Sequence, residues 1–318
     1  MVRTIEMKRP GDCERREFLE RMLAAGMLAA MPPIGGCLTR PASTLKFVNH
    51  SVVIGVERPF SVLHVTDSHL TLVDKADDEC AMKLADWRAK TFGFKQVEIL
   101  EEMVAYAQRE QLPLLHTGDL VDFHSRANLR YVREKFASHC ALMCVGNHEL
   151  SRYLEWEIGE WEQRIRSVEY REFCKREAAP FYPFDLTFAS RVIGGVNFVA
   201  FDDSLGWIPE AVFDRFEQEV KKGLPIVILV HMPLYAPETE ALSLKMWGAD
   251  AHLPGSPAWA QKYPKTFAFV ERIRRERQVK AILAGDLHAT IEERFSPTAM
   301  EYTLGGGFDH FAAKISFS

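Results

Sequence analysis

Long apolar runs are missing from this 318-residue chain, and so is any excess of basic residues. Residues 22–31 form an apolar stretch of ten, whereas a membrane-spanning helix needs about 20. The formal net charge is −5 and the pI is about 6.1. These values differ from the basic character of nonspecific nucleic-acid binders, although they leave room for a local basic groove. We therefore predict no nucleic-acid partner.

The six cysteines include no CxxC pair, which excludes the common zinc-finger spacing. Cys140 and Cys144 lie in an apolar run that predicts a strand, where their Cα atoms would be roughly 13 Å apart. A disulfide needs Cα atoms within about 7 Å, so these two cannot pair within one straight strand. We predict buried or free thiols. The chain has no internal repeat, and no GxGxxG or P-loop pattern surrounds Gly305, Gly306 and Gly307, which predict a tight turn.

The first 44 residues resemble an export signal followed by a linker. The segment ERREFLERMLAAG contains a pair of arginines before an apolar stretch and resembles a twin-arginine signal. The sequence IGGC resembles a lipoprotein processing site, at which Cys37 would be lipidated and would attach the protein to a membrane. Glu14, Glu17 and Glu20 are unfavourable in such a signal, and the alternative is an amphipathic helix. We predict a periplasmic or cell-surface location, with a cytoplasmic one as the alternative.

Beyond residue 44, short β-rich runs alternate with helical patterns, which predicts an α/β fold in one domain, residues 45–318. The predicted strands are 60–66, 112–117, 141–145, 196–201, 225–230 and 279–284. Helices are predicted from apolar spacing over 97–107 and over 210–222, where Gly223 would end the second one.

Two insertions are predicted within this domain. Residues 151–185 carry Trp156, Trp161, Ile165 and Val168 among many charges, a pattern of a covering helix or of a substrate wall. Residues 235–263 have little periodicity and predict a long loop just after His231. Loops of this length are uncommon unless they are functional or disordered.

Five apolar runs each end in side chains that bind metals. The residues concerned are Asp67 and His69, Asp119 and Asp122, Asn147 and His148, His231, and Asp286 and His288. Side chains at i and i+2 of an extended strand point to the same side, so Asp67 and His69 would face one site if residues 66–69 are extended. Imidazole and carboxylate together suit Zn, Mn or Fe. Single histidines such as His64, His116 and His139 are predicted to be packed or solvated.

Together these motifs resemble the calcineurin-like metallophosphoesterase family. The family order DxH, GDxxD, GNH(D/E), H and GHxH is matched over roughly residues 58–310 by DSH, GDLVD, GNHE, His231 and GDLH. The resemblance implies a four-layer α/ββ/α sandwich, in which two mixed sheets are flanked by helices.

The resemblance also implies two divalent or mixed-valence ions of Mn, Fe or Zn. The first ion would take Asp67, His69, Asp119 and His288, and the second would take Asp119, Asn147, His231 and Asp286. A hydroxide bridging the ions would attack a phosphodiester or phosphomonoester. His148 would act as the general acid for the leaving oxygen, and Asp122 would orient His148.

One position departs from the family pattern, because Asp286 stands where the family usually has histidine. A third carboxylate makes the metal cluster neutral, whereas the usual ligand set leaves one positive charge. We expect weaker attraction of dianionic phosphomonoesters, a harder second metal such as Mn or Fe, and a shift towards phosphodiesters. The alternatives are a phosphoprotein phosphatase and a non-catalytic cell-surface module with an incomplete metal site. The sequence leaves open the small-molecule phosphoester substrate, the metal and the oligomeric state.

Overall fold

Two β-sheets form the centre of the computed structural model, which describes residues 44–152 and 168–318. The strands are β1 (Lys46–Val52), β2 (Phe60–Val65), β3 (Leu114–Thr117), β4 (Cys140–Cys144), β5 (Phe188–Ile193), β6 (Val196–Phe201), β7 (Ile226–Leu229), β8 (Val279–Ala284), β9 (Ile291–Ser296), β10 (Ala299–Thr303) and β11 (Phe311–Phe317). The first sheet has the order β1-β11-β2-β3-β4 and the second has the order β5-β6-β7-β8-β10-β9. Both sheets are mixed, because β11 runs antiparallel to β2 and β5 runs antiparallel to β6.

Helices cover the outer faces of the two sheets. The α-helices of the described residues are α1 (Glu79–Thr91), α2 (Gln96–Arg109), α3 (Arg126–Tyr131), α4 (Val168–Ala178), α5 (Ala211–Val220), α6 (Pro237–Trp247) and α7 (Pro264–Arg275). Helix α2 packs its apolar face on the first sheet, and α5 and α7 pack on the second. The described residues belong to one compact unit, Ser43–Ser318.

Three apolar cores alternate with the sheets and define four layers. On β7, Ile226 and Ile228 face the helices, whereas Val227 and Leu229 face the core between the two sheets. This alternation follows from the two-residue repeat of a strand. Strands buried on both faces read as continuous apolar runs, which is why the sequence identified them. The predicted α/ββ/α sandwich is confirmed.

The predicted strands are confirmed to within two residues at each end, and both predicted helices are present. The loop predicted for residues 235–263 is wrong in part, because α6 occupies its first half. Pro237 stands in the first turn of α6, where its missing N–H costs nothing, and Gly248 ends the helix with a φ of 103°. The apolar residues of α6 are scattered around the helix, so its sequence shows little of the apolar periodicity that predicts an amphipathic helix.

Several predictions fall on residues that the structure does not describe. The predicted export signal, which includes Cys37, lies outside the described residues, and so do Trp156, Trp161 and Ile165. What the sequence predicts for these residues stays a prediction. Val168, which does lie within them, begins α4. Cys140 and Cys144 are buried thiols without a disulfide, as predicted. Among the described residues, no helix is both long and apolar enough to cross a bilayer.

Candidate metal centre

The ends of five parallel strands deliver the predicted metal ligands. Strands β2, β3 and β4 run parallel in the first sheet, as do β7 and β8 in the second. Each ligand-bearing segment begins within a few residues after its strand ends. Open α/β sheets place their sites outside the carboxyl ends of parallel strands. The structure brings all seven predicted ligands to one region between the two sheets.

The backbone at five of these seven ligands lies in the left-handed region. The residues and their φ angles are Asp67 (47°), His69 (46°), Asp119 (54°), Asp286 (63°) and His288 (51°). The premise of an extended segment over residues 66–69 is therefore wrong, since β2 ends at Val65. Non-glycine residues with positive φ cost free energy and concentrate at functional sites. The donor atoms converge because the backbone turns sharply at each ligand.

Close packing of the loops explains two glycines of the motifs. A Cβ atom on Gly146 would lie 2.0 Å from Asp119 Oδ1, and one on Gly285 would lie 1.9 Å from Thr66 Oγ1. Any larger residue would push these loops apart. The glycines therefore set the distance between neighbouring ligand loops.

Asp119 stands at the centre of the donor atoms. Its Oδ2 lies 3.3 Å from His231 Nε2 and 3.7 Å from His69 Nε2. On one side, His69 Nε2 lies 3.1 Å from His288 Nε2, which is 3.4 Å from Asp67 Oδ1. The Asp67 Oδ1 atom is buried without a hydrogen-bond partner. This first group of four residues is the predicted first ligand set.

The second group lies on the other side of Asp119. His231 Nε2 is 3.1 Å from Asn147 Oδ1 and 3.5 Å from Asp286 Oδ1. The other nitrogen of this ring, Nδ1, donates a hydrogen bond to the Thr117 carbonyl at 2.8 Å, so that Nε2 presents a lone pair to the other donors. Lone pairs that face each other this closely need a metal cation or a proton between them. The donor atoms of both groups therefore fit divalent cations.

Burial and mutual proximity shift the acidity of this cluster. Burial lowers the pKa of His231, but the Asp119 carboxylate overrides it and raises that pKa well above its ordinary value. Burial, together with the Asp67 and Asp119 carboxylates, raises the pKa of Asp286 to about 6. Without cations, buried carboxylates are neutralised in part by protons. Divalent cations would supply that positive charge instead.

His148 and Asp122 meet beside the donor groups. His148 Nδ1 donates a hydrogen bond to the Asp122 carbonyl at 2.8 Å and lies 3.1 Å from its carboxylate. The Asp122 carboxylate also accepts from His69 Nδ1 at 2.9 Å and from Arg88 at 2.6 and 2.7 Å. Asp122 thus contacts its predicted partner His148 and also a predicted metal ligand. Burial lowers the pKa of His148, but Asp119 and Asp122 outweigh burial and raise it to about 9.

Arg88 and Glu149 were not assigned roles from the sequence. Arg88 reaches Asp122 from α1, and nothing in the spacing of these residues indicates the pair. The Glu149 carboxylate accepts backbone N–H groups from Asp119, Leu120, Val121 and Gly146, at 2.7 to 3.1 Å. Its place in the GNHE motif was the available signal. Glu149 joins the loop after β3 to the loop after β4.

We expect Glu149→Gln to lower the free energy of unfolding by about 2–4 kcal/mol. Each carboxylate oxygen accepts two N–H groups, so an amide NH₂ in either orientation would face two donors. Urea unfolding followed by circular dichroism measures the loss. Glu98→Gln, at an exposed position on α2, is the control and should change stability by less than about 0.5 kcal/mol. Equal stabilities of the two variants would contradict this role.

His64, His116 and the acidic pair after β6 are buried and support the surrounding loops, whereas His139 is exposed. His64 and His116 are fully buried and hydrogen-bonded to Thr117 and Ser68, and burial lowers the pKa of each to about 3. Asp202 pairs with Arg171 and Lys175. The Asp203 carboxylate accepts the backbone N–H of His231 at 2.9 Å and so holds that ligand loop.

A cleft of about 330 Å³ opens directly over the donor groups. Its lining includes Asp119, Asn147, His148, Asp286 and His288, together with the segments 204–206, Met232 and parts of residues 243–259. The predicted insertion at 235–263 therefore forms a wall of the cleft. A molecule in this cleft would contact the donor groups and His148 together.

This four-layer sandwich, with adjoining His and Asp donor groups at its strand ends, defines an α/β protein built to hold metal ions. The sequence model of the calcineurin-like phosphoesterases matches residues 60–290, and the chain belongs to that family. It is a metal-dependent hydrolase of phosphoester bonds. A search of curated proteins found no significant match.

Solved structures with a similar fold include several phosphatases. A dimetal phosphatase from Danio rerio is 15% identical, with a TM-score of 0.46, and the match covers 79% of this chain and 88% of that one. A putative 5′-nucleotidase from Staphylococcus aureus is 13% identical, with a TM-score of 0.40 and coverages of 79% and 49%. The purple acid phosphatase from yellow lupin (Lupinus luteus) seeds is 10% identical, with a TM-score of 0.44 and coverages of 79% and 44%. The chain thus spans about half the length of the latter two.

Proposed function

We propose that the protein hydrolyses small-molecule phosphoesters at a dinuclear metal site, with His148 as general acid. The carrying observation is the convergence of the seven donor residues at the floor of a cleft that His148 also lines. Asp67, His69, Asp119 and His288 would hold one ion, and Asp119, Asn147, His231 and Asp286 the other. When bound by these residues, two divalent ions would supply Lewis acidity and would lower the pKa of a nearby water.

The protein's own groups orient the acid and hold the substrate region together. The Asp122 carbonyl fixes His148 Nδ1, so that Nε2 points to the side where Asp119 lies, 3.7 Å away. An imidazolium in that place can give its proton to the leaving oxygen of a phosphoester bound in the cleft. His69 Nδ1 donates to Asp122 in the same way, which directs His69 Nε2 towards the donor cluster.

A metal-by-substrate panel tests this function. Protein loaded with Mn²⁺, Fe²⁺ or Zn²⁺ is offered generic aryl phosphates, nucleotides, cyclic nucleotides, lipid head-group diesters and a phosphopeptide. Turnover of at least one phosphoester, with close to two ions per chain by elemental analysis, supports the proposal. One ion or none, without turnover under any metal, would instead indicate a non-catalytic binding module.

The carboxylate of Asp286 favours phosphodiesters in this proposal. It lies 3.5 Å from His231 Nε2 and lines the cleft, so its negative charge opposes a dianionic monoester more than a monoanionic diester. One unit charge about 4 Å away is worth a few kcal/mol at most near a protein surface. The expected preference for phosphodiesters depends on the charge of the substrate rather than on its shape.

We expect Asp286→His to raise the monoester-to-diester ratio of kcat/KM by about tenfold, because the substitution makes the loaded cluster more positive. The ratio is measured with 4-nitrophenyl phosphate and 4-nitrophenyl methyl phosphate. Asp309→His, on an exposed residue outside the cleft, is the control. An unchanged or lower ratio in the Asp286 variant, with both ions bound, would refute the charge argument.

Removal of metal should lower the thermal stability of the protein. A ligand at 100 times its Kd stabilises the folded state by about 2.7 kcal/mol, which corresponds to a Tm change of roughly 5–10 °C in a domain of this size. We expect a decrease of this order on treatment with a chelator, measured by scanning calorimetry. Re-addition of Mn²⁺ restores Tm, whereas Mg²⁺ at the same concentration should do so less. A Tm unaffected by the chelator would argue against metal binding in the folded state.

A further inference from the structure

The cleft has few charges apart from the donor groups at its floor. Within the part of the chain that the structure describes, its lining contains no lysine and no arginine. The ionisable groups beyond the metal donors are His148, His252 and Asp250. A second phosphate or a carboxylate on the substrate would find no lysine or arginine among these lining residues to pair with. The cleft therefore suits a substrate with a single anionic group.

One wall of the cleft is apolar and aromatic. It is formed by Leu205, Met232, Trp247 and Trp259. Trp247, at the end of α6, is 46% exposed, and its ring centroid lies 5.9 Å from that of the ligand His288. Trp259 packs so closely on Gly206 that a Cβ there would lie 2.4 Å from the ring. An apolar surface thus begins directly beside the donor groups.

Further aromatic side chains lie beside His288 and His69. Phe308 lies 5.0 Å from His288 and 4.7 Å from Phe92, which stacks on His69 at 4.4 Å between centroids. Phe94 follows two residues later and is 60% exposed, with a φ of 64°. Phe308 and Trp247 thus both lie beside the ring of His288.

Two exposed aliphatic residues, in contrast, lie at the opposite end of the strands. Val53 is 83% exposed and follows Val52. Val52 pairs with Phe317 of β11, which in turn pairs with Phe60 at the start of β2. Val192 is 50% exposed beside the turn into β6. Of the large aromatic residues that are exposed in the described chain, Trp87, Phe94 and Trp247, it is Trp247 that lines the cleft.

We propose that the substrate carries one phosphate and an uncharged apolar group that packs against Trp247 and its neighbouring wall. This inference rests on the proposed function and specifies its substrate class. The phosphate binds at the donor groups, and the apolar group lies along Trp247, Trp259, Leu205 and Met232. Both linear alkyl chains and aromatic rings offer the required chemistry.

Calorimetric titration with non-hydrolysable phosphonates tests the proposal without relying on turnover. Mn²⁺-loaded protein is titrated with methyl-, octyl- and benzylphosphonate below their micellar concentrations. We expect octyl- or benzylphosphonate to bind at least about tenfold more tightly than methylphosphonate, since each buried methylene contributes to affinity. Comparison of the octyl and benzyl compounds distinguishes a chain from a ring. A terminal carboxylate, as in 4-phosphonobutanoate, should reduce affinity about tenfold relative to butylphosphonate.

Three variants assign the preference to the aromatic wall. Trp247→Ala should reduce the preference for the apolar phosphonate to less than about threefold, and Trp247→Phe should retain most of it. Val53→Ala, far from the cleft, should keep the full preference. Equal affinity of the wild-type protein for methyl- and octylphosphonate, or an unchanged preference in Trp247→Ala, would overturn the inference. Failure of the substrate panel with an intact phosphonate preference would overturn the proposed function alone.

Discussion

Replacing Asp119 with asparagine is expected to reduce kcat/KM by about a thousandfold or more, with loss of bound metal. The Oδ2 atom of Asp119 is within 3.7 Å of ring nitrogens from both donor groups, and its Oδ1 accepts the His148 backbone N–H at 3.0 Å. An amide in its place would present either an N–H group or a neutral oxygen to both ions. Elemental analysis and steady-state kinetics on the same preparation measure the two effects together.

A stability measurement separates this effect from misfolding. In the metal-free protein, the Asp119 carboxylate raises the pKa of His231 and of His148, so Asp119→Asn should lower the Tm without metal while the variant keeps a single cooperative unfolding transition. Asp74→Asn, on an exposed loop, is the matched control and should retain activity and metal. An Asp119 variant that keeps two ions and full turnover would refute the shared-ligand role.

Replacing His148 with alanine is expected to lower kcat by about 10²- to 10⁴-fold on an alkyl phosphoester, with both ions retained. The reason is that an alkoxide leaving group needs a proton, and His148 is the cleft imidazole outside the predicted ligand set whose Nε2 lies next to the donor groups, 3.7 Å from Asp119 Oδ2. A 4-nitrophenolate leaving group needs little protonation, so the loss on that substrate should be much smaller. Kinetics with both leaving groups provide the measurement.

The comparison between the two leaving groups distinguishes the loss of a general acid from a structural defect. A structural defect would lower both rates equally, whereas the loss of an acid lowers mainly the rate of the poor leaving group. His139→Ala is the control, because His139 is exposed and contacts Gln108 rather than the cleft. Full activity of His148→Ala on the alkyl ester would show that another group supplies the proton.

Much of the fold was predictable because buried parallel strands leave continuous apolar runs in the sequence. Strands β6 and β8 have the predicted bounds, and each is buried along nearly its whole length. Strands β1, β5 and β9 were missed because each has no more than two buried residues. Strand β11 was missed although four of its seven residues are buried. Strand β1 is fixed by hydrogen bonds to β11, at the other end of the domain. That pairing leaves no local pattern.

The seven donor residues could be identified because each ends an apolar run and because their order matches a family. Their backbone conformation could not be predicted, since the left-handed φ of Asp67 and His69 depends on contacts with other loops. The roles of Arg88 and Glu149 were also hidden. Arg88 is 34 residues from Asp122, and Glu149 binds backbone groups around Asp119, so both depend on tertiary structure.

The donor residues come from both halves of the sandwich. Asp67 and Asp119 follow strands of the first sheet, whereas His231, Asp286 and His288 follow strands of the second. Bound ions would therefore link the two sheets. A shift of one sheet relative to the other would change the distances between the donor atoms of the two sheets. Substitutions in the apolar seam between the sheets, such as Val227→Ala or Leu283→Ala, should thus weaken metal binding without touching a single ligand. The relative positions of the donor atoms are thus set by the packing of the two sheets on each other, through the apolar core between them.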